Sequence, residues 1–246
     1  MDFRLLGADE EIEGSRLRAF FPEGTEVEEI ARELERALPG VRCRKPEPEP
    51  SGDWLSEWKK SFTGFSLGDG FFVLPTWNET PKIDRAILRL DPEQAFGTGT
   101  HDTTRLSAQL LERLVRPGDR IIDLGTGTGI LAMVAAHRGA SSVLALEPDE
   151  DAARSAAANV QRNQLSRLIR VETRGYEDLE TLEAEVIVAN INRTVLEEAS
   201  KRMKARTVVL SGLLVDEVNE FLRELPQRYR VRERWSAGDW AALVLA

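Results

Sequence analysis

Ile121-Ile122-Asp123-Leu124-Gly125-Thr126-Gly127-Thr128-Gly129 decides the fold of this chain. An apolar run ends in an acid and three alternating glycines, and a second apolar run, Ser142 to Leu146, then delivers Glu147. Strand, glycine turn, helix, strand, acid is the order in which an open parallel sheet binds a nucleoside. The glycines let the backbone approach the ligand, and the carboxylate takes the ribose hydroxyls. The Gly-x-Gly-x-Gly spacing differs from the Gly-x-Gly-x-x-Gly of dinucleotide enzymes, and no Lys-Ser or Lys-Thr pair follows to make a phosphate loop. A ligand without phosphates fits best, and S-adenosylmethionine (SAM) is the commonest of these.

Asp123, Gly125, Gly127 and Gly129 are therefore expected to line the cofactor site. The helix that opens near Gly129 aims backbone donors at it, which suits the methionine carboxylate. Glu147 is expected to accept from the ribose diol. The alternative is a capping or surface acid, because Pro148-Asp149 also begins a helix.

Outward from this loop, strands are expected at 120–124, 142–147, 168–172, 185–190 and 206–211. Helices are expected near 129–138, 150–163, 193–203 and 214–224. Two more strands, 228–235 and 240–245, flank the turn Ser236-Ala237-Gly238-Asp239. A βαβ series ending in a hairpin is a doubly wound sheet with an antiparallel strand at its end. Asn190 follows four apolar residues at the carboxyl end of the fourth strand, where substrates enter such sheets. An amide there orients an amine without taking a charge. Asn192 is the better cap for the helix that follows, and no Asn-Pro-Pro-Tyr motif points to nucleobase or glutamine substrates.

Upstream, Asp91-Pro92-Glu93-Gln94-Ala95-Phe96-Gly97-Thr98-Gly99-Thr100-His101-Asp102-Thr103-Thr104 is rich in glycine and threonine. Turn chemistry alone does not call for Phe96 or His101, so the segment reads as a loop that folds over a ligand. His101 is either a polar group at the reaction centre or a helix cap. His137, on an apolar helix face, reads as structural. Phe71 to Pro75 and Ala86 to Leu90 read as a pair of strands.

The front of the chain is a separate small α/β unit. It has a strand at Leu17–Phe21, a helix from Val27 to Leu38 and an alternating edge strand at Val41–Arg44. Helix Val27–Leu38 puts Val27, Ile30, Ala31, Leu34 and Leu38 on one face. Prolines at 46, 48 and 50 forbid helix and make an extended linker. Trp54, Leu55 and Trp58 follow at helical spacing. The division expected is a recognition domain at 1–46, linker and bridging helix at 47–60, and a catalytic domain at 61–246.

The 246 residues suffice for one α/β domain and a small appendage. The apolar fraction of 41% and charged fraction of 30% are those of an ordinary soluble chain. Apolar runs fall short of a membrane span, and the N-terminus does not read as a signal peptide. A single cysteine, Cys43, rules out an internal disulfide framework and suits the cytoplasm. No His/Cys cluster suggests a metal. The net charge is −9, and residues 1–53 hold 14 acidic against 8 basic side chains. Acid repels a phosphate backbone, so direct nucleic-acid binding is not expected and a basic protein is the better partner.

Leu90-Asp91-Pro92, Ala95 through His101 and Thr103-Thr104 resemble the signature of the PrmA family, methyltransferases of ribosomal large-subunit protein eleven. The Asp123–Gly129 loop, Asn159 and Asn163, Val188-Ala189-Asn190-Ile191, Leu210 to Leu214, Gly238-Asp239-Trp240, and Trp54-Leu55 with Trp58-Lys59 fall in that family's order. The resemblance runs from about residue 54 to the end. It implies a Rossmann-like class I methyltransferase with a seven-stranded, mostly parallel sheet behind an N-terminal recognition domain. It implies SAM contacts at Thr104, Gly125, Glu147 and Asn190, and methylation of lysine side-chain and N-terminal α-amines of a ribosomal protein; a monomer is expected. Glu147 stands where the family usually has Asp, and the front domain is shortened. Methylation of another protein, of the electron-transfer-flavoprotein type, or of a small molecule is the alternative. Phe96 would wall the amine's entry, with Asn190 and His101 at the reacting centre.

Overall fold

The computed structural model describes residues 7–11, 16–20, 25–38, 40–45, 64–91 and 99–246, and divides the chain into two compact units, Met1–Leu55 and Ser56–Ala246. In the first unit β1 (Gly7–Glu11) pairs antiparallel with β2 (Arg16–Phe20), from Gly7 opposite Phe20 to Glu11 opposite Arg16. The sequence reading had only the second of these strands. Helix α1 (Val27–Ala37) follows as expected. Its apolar face is covered only near its start: Ile30 is buried, whereas Leu34 and Leu38 are 43% and 51% exposed. The edge strand expected at Val41–Arg44 is absent. The Cys43 N–H donates to Glu35 Oε1 at 2.8 Å, so a helix side chain takes the bond a neighbouring strand would have taken. The proline-rich linker and the helix expected around Trp54–Trp58 lie outside the described residues.

The second unit opens with a three-stranded sheet. β3 (Phe65–Leu67) runs antiparallel to β4 (Phe71–Pro75), which runs parallel to β5 (Ala86–Leu90). β3 is too short to show a period in the sequence. Its turn is held from outside: the Gly70 N–H donates to Glu112 Oε2 at 2.9 Å, from α2 (Asp102–Leu114).

The main sheet has seven strands: β6 (Arg120–Leu124), β7 (Ser142–Leu146), β8 (Ile169–Glu172), β9 (Leu182–Asn190), β10 (Met203–Leu214), β11 (Val231–Ala237) and β12 (Trp240–Leu245). Their order is β11-β12-β10-β9-β6-β7-β8. The connecting helices are α3 (Ile130–His137), α4 (Glu150–Arg162), α5 (Arg193–Ser200) and α6 (Val218–Glu224). The antiparallel strand is β12, and it lies between β10 and β11 rather than at the edge the sequence suggested. Ala241 to Leu245 are apolar on both faces and buried, so this strand needs neighbours on both sides.

Two apolar layers sandwich the sheet. One contains Leu106, Leu110, Leu111, Val160 and the whole of α3 from Ile130 to Ala136. A helix apolar all round has no solvent face to keep. The other layer packs Leu196, Ala199, Val218 and Phe221 of α5 and α6 on Ile122, Ile187 and Leu210.

Candidate active site

β6 and β9 are adjacent, with Leu124 opposite Ala189, although the chain leaves β6 for β7 and β9 for β10. This reversal opens a crevice beyond the strand ends, and the residues that follow β6 and end β9 border it. Gly125, Gly127 and Gly129 follow β6 with φ of +68°, +54° and +82°. Side chains other than glycine enter that region only with strain. The loop folds back on the neighbouring strand: the Gly125 and Thr126 N–H groups both donate to the Leu146 carbonyl, at 2.9 and 3.0 Å. A Cβ on Gly125 would collide with Ile191 Cγ2.

Asp123 lies beneath this loop and is 1% exposed. Its Oδ2 accepts from Thr126 Oγ1 at 2.6 Å and from the Ala132 N–H at 3.0 Å. Its Oδ1 has no hydrogen-bond partner among the described residues. Burial pushes its pKa up to about 6, against the pull of those two hydrogen bonds, and the Glu147 charge adds to the rise. Asp123 thus braces the loop against the first turn of α3 from within.

Glu147 is half-buried just past β7. Its Oε2 accepts from the Gly127 N–H at 2.9 Å and its Oε1 from the Asp149 N–H at 3.2 Å. Asp149, not Glu147, caps α4, accepting from the Ala152 N–H at 2.8 Å. The carboxylate therefore gives each oxygen one backbone donor and keeps lone pairs for a diol. Gly129 begins α3 with no side-chain cap. Loop and helix-start N–H groups beside an accepting carboxylate just past the next strand can meet the acceptors and hydroxyls of a nucleoside ligand such as SAM, and no cationic side chain among them calls for a phosphate.

Across the crevice, Asn190 Nδ2 donates to Thr104 Oγ1 at 3.2 Å, and Thr104 is 1% exposed. Asn192 caps α5, accepting from the Val195 N–H at 3.0 Å, which leaves Asn190 to the crevice. His101 is the cap of α2: its Nδ1 accepts from the Thr103 N–H at 3.4 Å and lies 2.8 Å from Thr103 Oγ1. Its ring meets Trp240 edge-on, with centroids 4.8 Å apart. The structure thus gives His101 the capping role and adds Trp240, which the sequence reading quoted without a function. Phe96 lies outside the described residues. Asn159 carries no local sequence signal for a role at the site. It is wholly buried, and its Nδ2 donates to the Thr128 carbonyl at 3.0 Å, inside the glycine loop.

Residues 4–246 match the family described as "Ribosomal protein L11 methyltransferase (PrmA)". The chain belongs to the PrmA family. A relative from Acetivibrio thermocellus bearing the same description is 33% identical over 245 residues, covering 93% of this chain and 78% of that protein. One from Chloroflexus aurantiacus is 43% identical over 162 residues, covering 63% of this chain and 49% of that protein. The crystal structure of a "ribosomal protein L11 methylase" from Lactobacillus delbrueckii subsp. bulgaricus superposes with a TM-score of 0.68 at 27% identity, covering 75% of this chain and 98% of that one. As a PrmA-family member the protein is a SAM-dependent methyltransferase, and its seven-stranded sheet is the class I fold the glycine loop implied.

Proposed function

We propose that this protein transfers methyl groups from SAM to lysine side-chain and N-terminal α-amines of ribosomal large-subunit protein eleven. The observation that carries the reading is the convergence of the Gly125–Gly129 loop, Glu147 and the Asn190–Thr104 pair on one crevice of a PrmA-family fold. The cofactor supplies a methyl group on a cationic sulfur, which an uncharged amine attacks in line. The chain's own residues do the rest. The glycine loop and Glu147 bind, and the start of α3 above Asp123 receives a carboxylate. Asn190, steadied by Thr104, accepts from the amine and directs its lone pair.

A lysine at its reference pKa of about 10.4 costs roughly 4–5 kcal/mol to deprotonate at pH 7. An apolar mouth, to which Trp240 contributes, lowers that cost by disfavouring the ammonium form. His101 acts through structure: it fixes the first turn of α2 and with it the Thr104 hydroxyl. The proton leaves to water.

Residues 1–46 select the protein substrate, 47–60 join them to the catalytic domain at 61–246, and the acidic front end favours a basic partner over nucleic acid. The enzyme works as a cytoplasmic monomer. Among the described residues no helix is long and apolar enough to cross a membrane. The test is incubation with methyl-labelled SAM and purified ribosomal protein eleven, with the products mapped by mass spectrometry. Label on its lysines and α-amine is expected. An unlabelled ribosomal protein, with label on another protein of a cell lysate, would refute the substrate.

A further inference from the structure

The cofactor loop has a second support besides Glu147, from α4. β5 is an edge strand, paired with β4 along one side only. Along its other side it meets two asparagines of α4 and its C-cap. Asn163 Oδ1 accepts from the Arg89 N–H at 2.9 Å, and Asn163 Nδ2 donates to the Arg89 carbonyl at 2.8 Å. One side-chain amide thereby satisfies both backbone groups of a strand residue, as a neighbouring strand would. Two residues further, the Asp91 N–H donates to Asn159 Oδ1 at 3.1 Å.

The spacing is geometric. Four helical residues rise about 6 Å and two strand residues about 6.6 Å, so asparagines at i and i+4 meet strand positions two apart. The second Asn159 arm differs from that of Asn163. It turns to the Thr128 carbonyl, between Gly127 and Gly129, at 3.0 Å. Arg162 closes the group, its Nη1 donating to Asn159 Oδ1 at 3.0 Å and its Nη2 lying 3.5 Å from Asp91 Oδ2. Gly99, in the segment that leads to Thr104, packs against the first residue of the helix that follows the loop. At φ +89° it sits where a Cβ would come within 2.7 Å of Ile130 Cδ1, at the start of α3.

We propose that Asn159 is a positioning residue for the cofactor loop. By donating to the Thr128 carbonyl while accepting from the Asp91 N–H, it sets the loop's conformation, and so its affinity for SAM, from a wholly buried position. A carboxamide does both, whereas a carboxylate only accepts and an alkyl side chain does neither. Asn163 gives the same support to β5 but does not reach the loop, so it separates loop positioning from general stability. The inference rests on the reading of Gly125–Gly129 and Glu147 as the SAM site.

The test is calorimetric titration of SAM into full-length Asn159→Leu, Asn159→Asp, Asn163→Leu and Glu147→Ala. Each is measured at a temperature where circular dichroism shows it folded, alongside urea unfolding. Both Asn159 variants should raise the SAM Kd at least fivefold. Asn159→Asp should do so although it keeps the acceptor for Asp91, because it sets a carboxylate oxygen against the Thr128 carbonyl. Asn163→Leu should lose comparable stability yet change the Kd less than twofold. Asn159 variants that bind SAM within twofold of the natural chain would overturn the proposal. So would Asn163→Leu weakening SAM as much as Asn159→Leu, since the effect would then follow stability alone. If Glu147→Ala leaves the Kd unchanged, the site assignment itself falls and this inference with it. If Glu147→Ala weakens binding and the Asn159 variants do not, only the inference falls.

Discussion

Alanine at Gly212 tests how the end of β9 is held in place. Gly212 lies in β10 at a break in the pairing between Ser211 and Leu213, with φ of +88°. A Cβ there would meet the backbone of Ile191: it would stand 2.9 Å from the carbonyl carbon, 3.1 Å from the nitrogen and closer still to the carbonyl oxygen. Backbone has no rotamer by which to give way. The positive φ costs about 1–2 kcal/mol for a non-glycine residue. Forcing an extra carbon into a packed site costs about 1–3 kcal/mol. The sum, about 2–5 kcal/mol, lowers the melting temperature by about 4–20 °C for a unit of this size. Relief comes only by displacing Ile191, and Asn190 is its neighbour in the chain. The kcat of Gly212→Ala should therefore fall at least tenfold at a temperature where the protein is folded. Gly118→Ala is the control: φ there is +91°, but nothing lies within 4 Å of its Cβ position. It should show the strain alone, about 1–2 kcal/mol, with kcat unchanged. A Gly212→Ala enzyme matching Gly118→Ala in both urea midpoint and kcat would refute the close approach of Ile191.

Glu147→Ala should weaken SAM binding by about 1.5–3 kcal/mol in calorimetry, because a charged acceptor for two hydroxyls is removed along with the Gly127 brace; unchanged affinity would exclude the ribose role. Asn190→Ala should lower kcat by far more than it raises the SAM Kd, and equal losses in both would assign Asn190 to cofactor binding alone. Asp123 carries a sign that pH reveals. Its folded pKa of about 6 stands above the carboxylate's ordinary 3.8, so the folded state holds the proton more tightly than the unfolded chain. Its contribution is most favourable below pH 4 and is lost as pH rises through 6, by up to about 3 kcal/mol. Asp123→Asn, compared with the natural chain in urea titrations from pH 4 to 7, should remove that fall, and parallel pH curves would contradict it. Deleting residues 1–55 should preserve SAM affinity and methylation of a short lysine peptide while abolishing methylation of the intact ribosomal protein; full activity on that protein would remove the recognition role.

The catalytic half of the fold was legible because its signals are local. Ile121 to Gly129 encode strand, turn and helix start within nine residues, and four of the strands that follow are short apolar runs bounded by polar turns. The glycines were readable as a ligand loop because the positive φ they now show is a property of single residues. Where neighbours decide, the sequence was silent. Val41–Arg44 alternates as a strand should, but alternation does not supply a partner, and Glu35 took the Cys43 N–H. β3 forms because Glu112, more than forty residues away, holds its turn. The last strand inserts between β10 and β11 because its two buried faces and two sheet edges must be satisfied together, a condition no window of sequence contains.

The same division runs through the site. Asp123, Glu147 and Asn190 were found by residue type at strand ends. That Asp123 points under the loop, that His101 caps α2 against Trp240, and that Asn159 joins Thr128 to Asp91 depend on chain segments that meet only in the folded protein. Residue type and period determined which elements form and which chemistry they bear. The direction of each polar side chain was decided by tertiary structure, because a buried donor or acceptor takes whatever partner packing brings within reach.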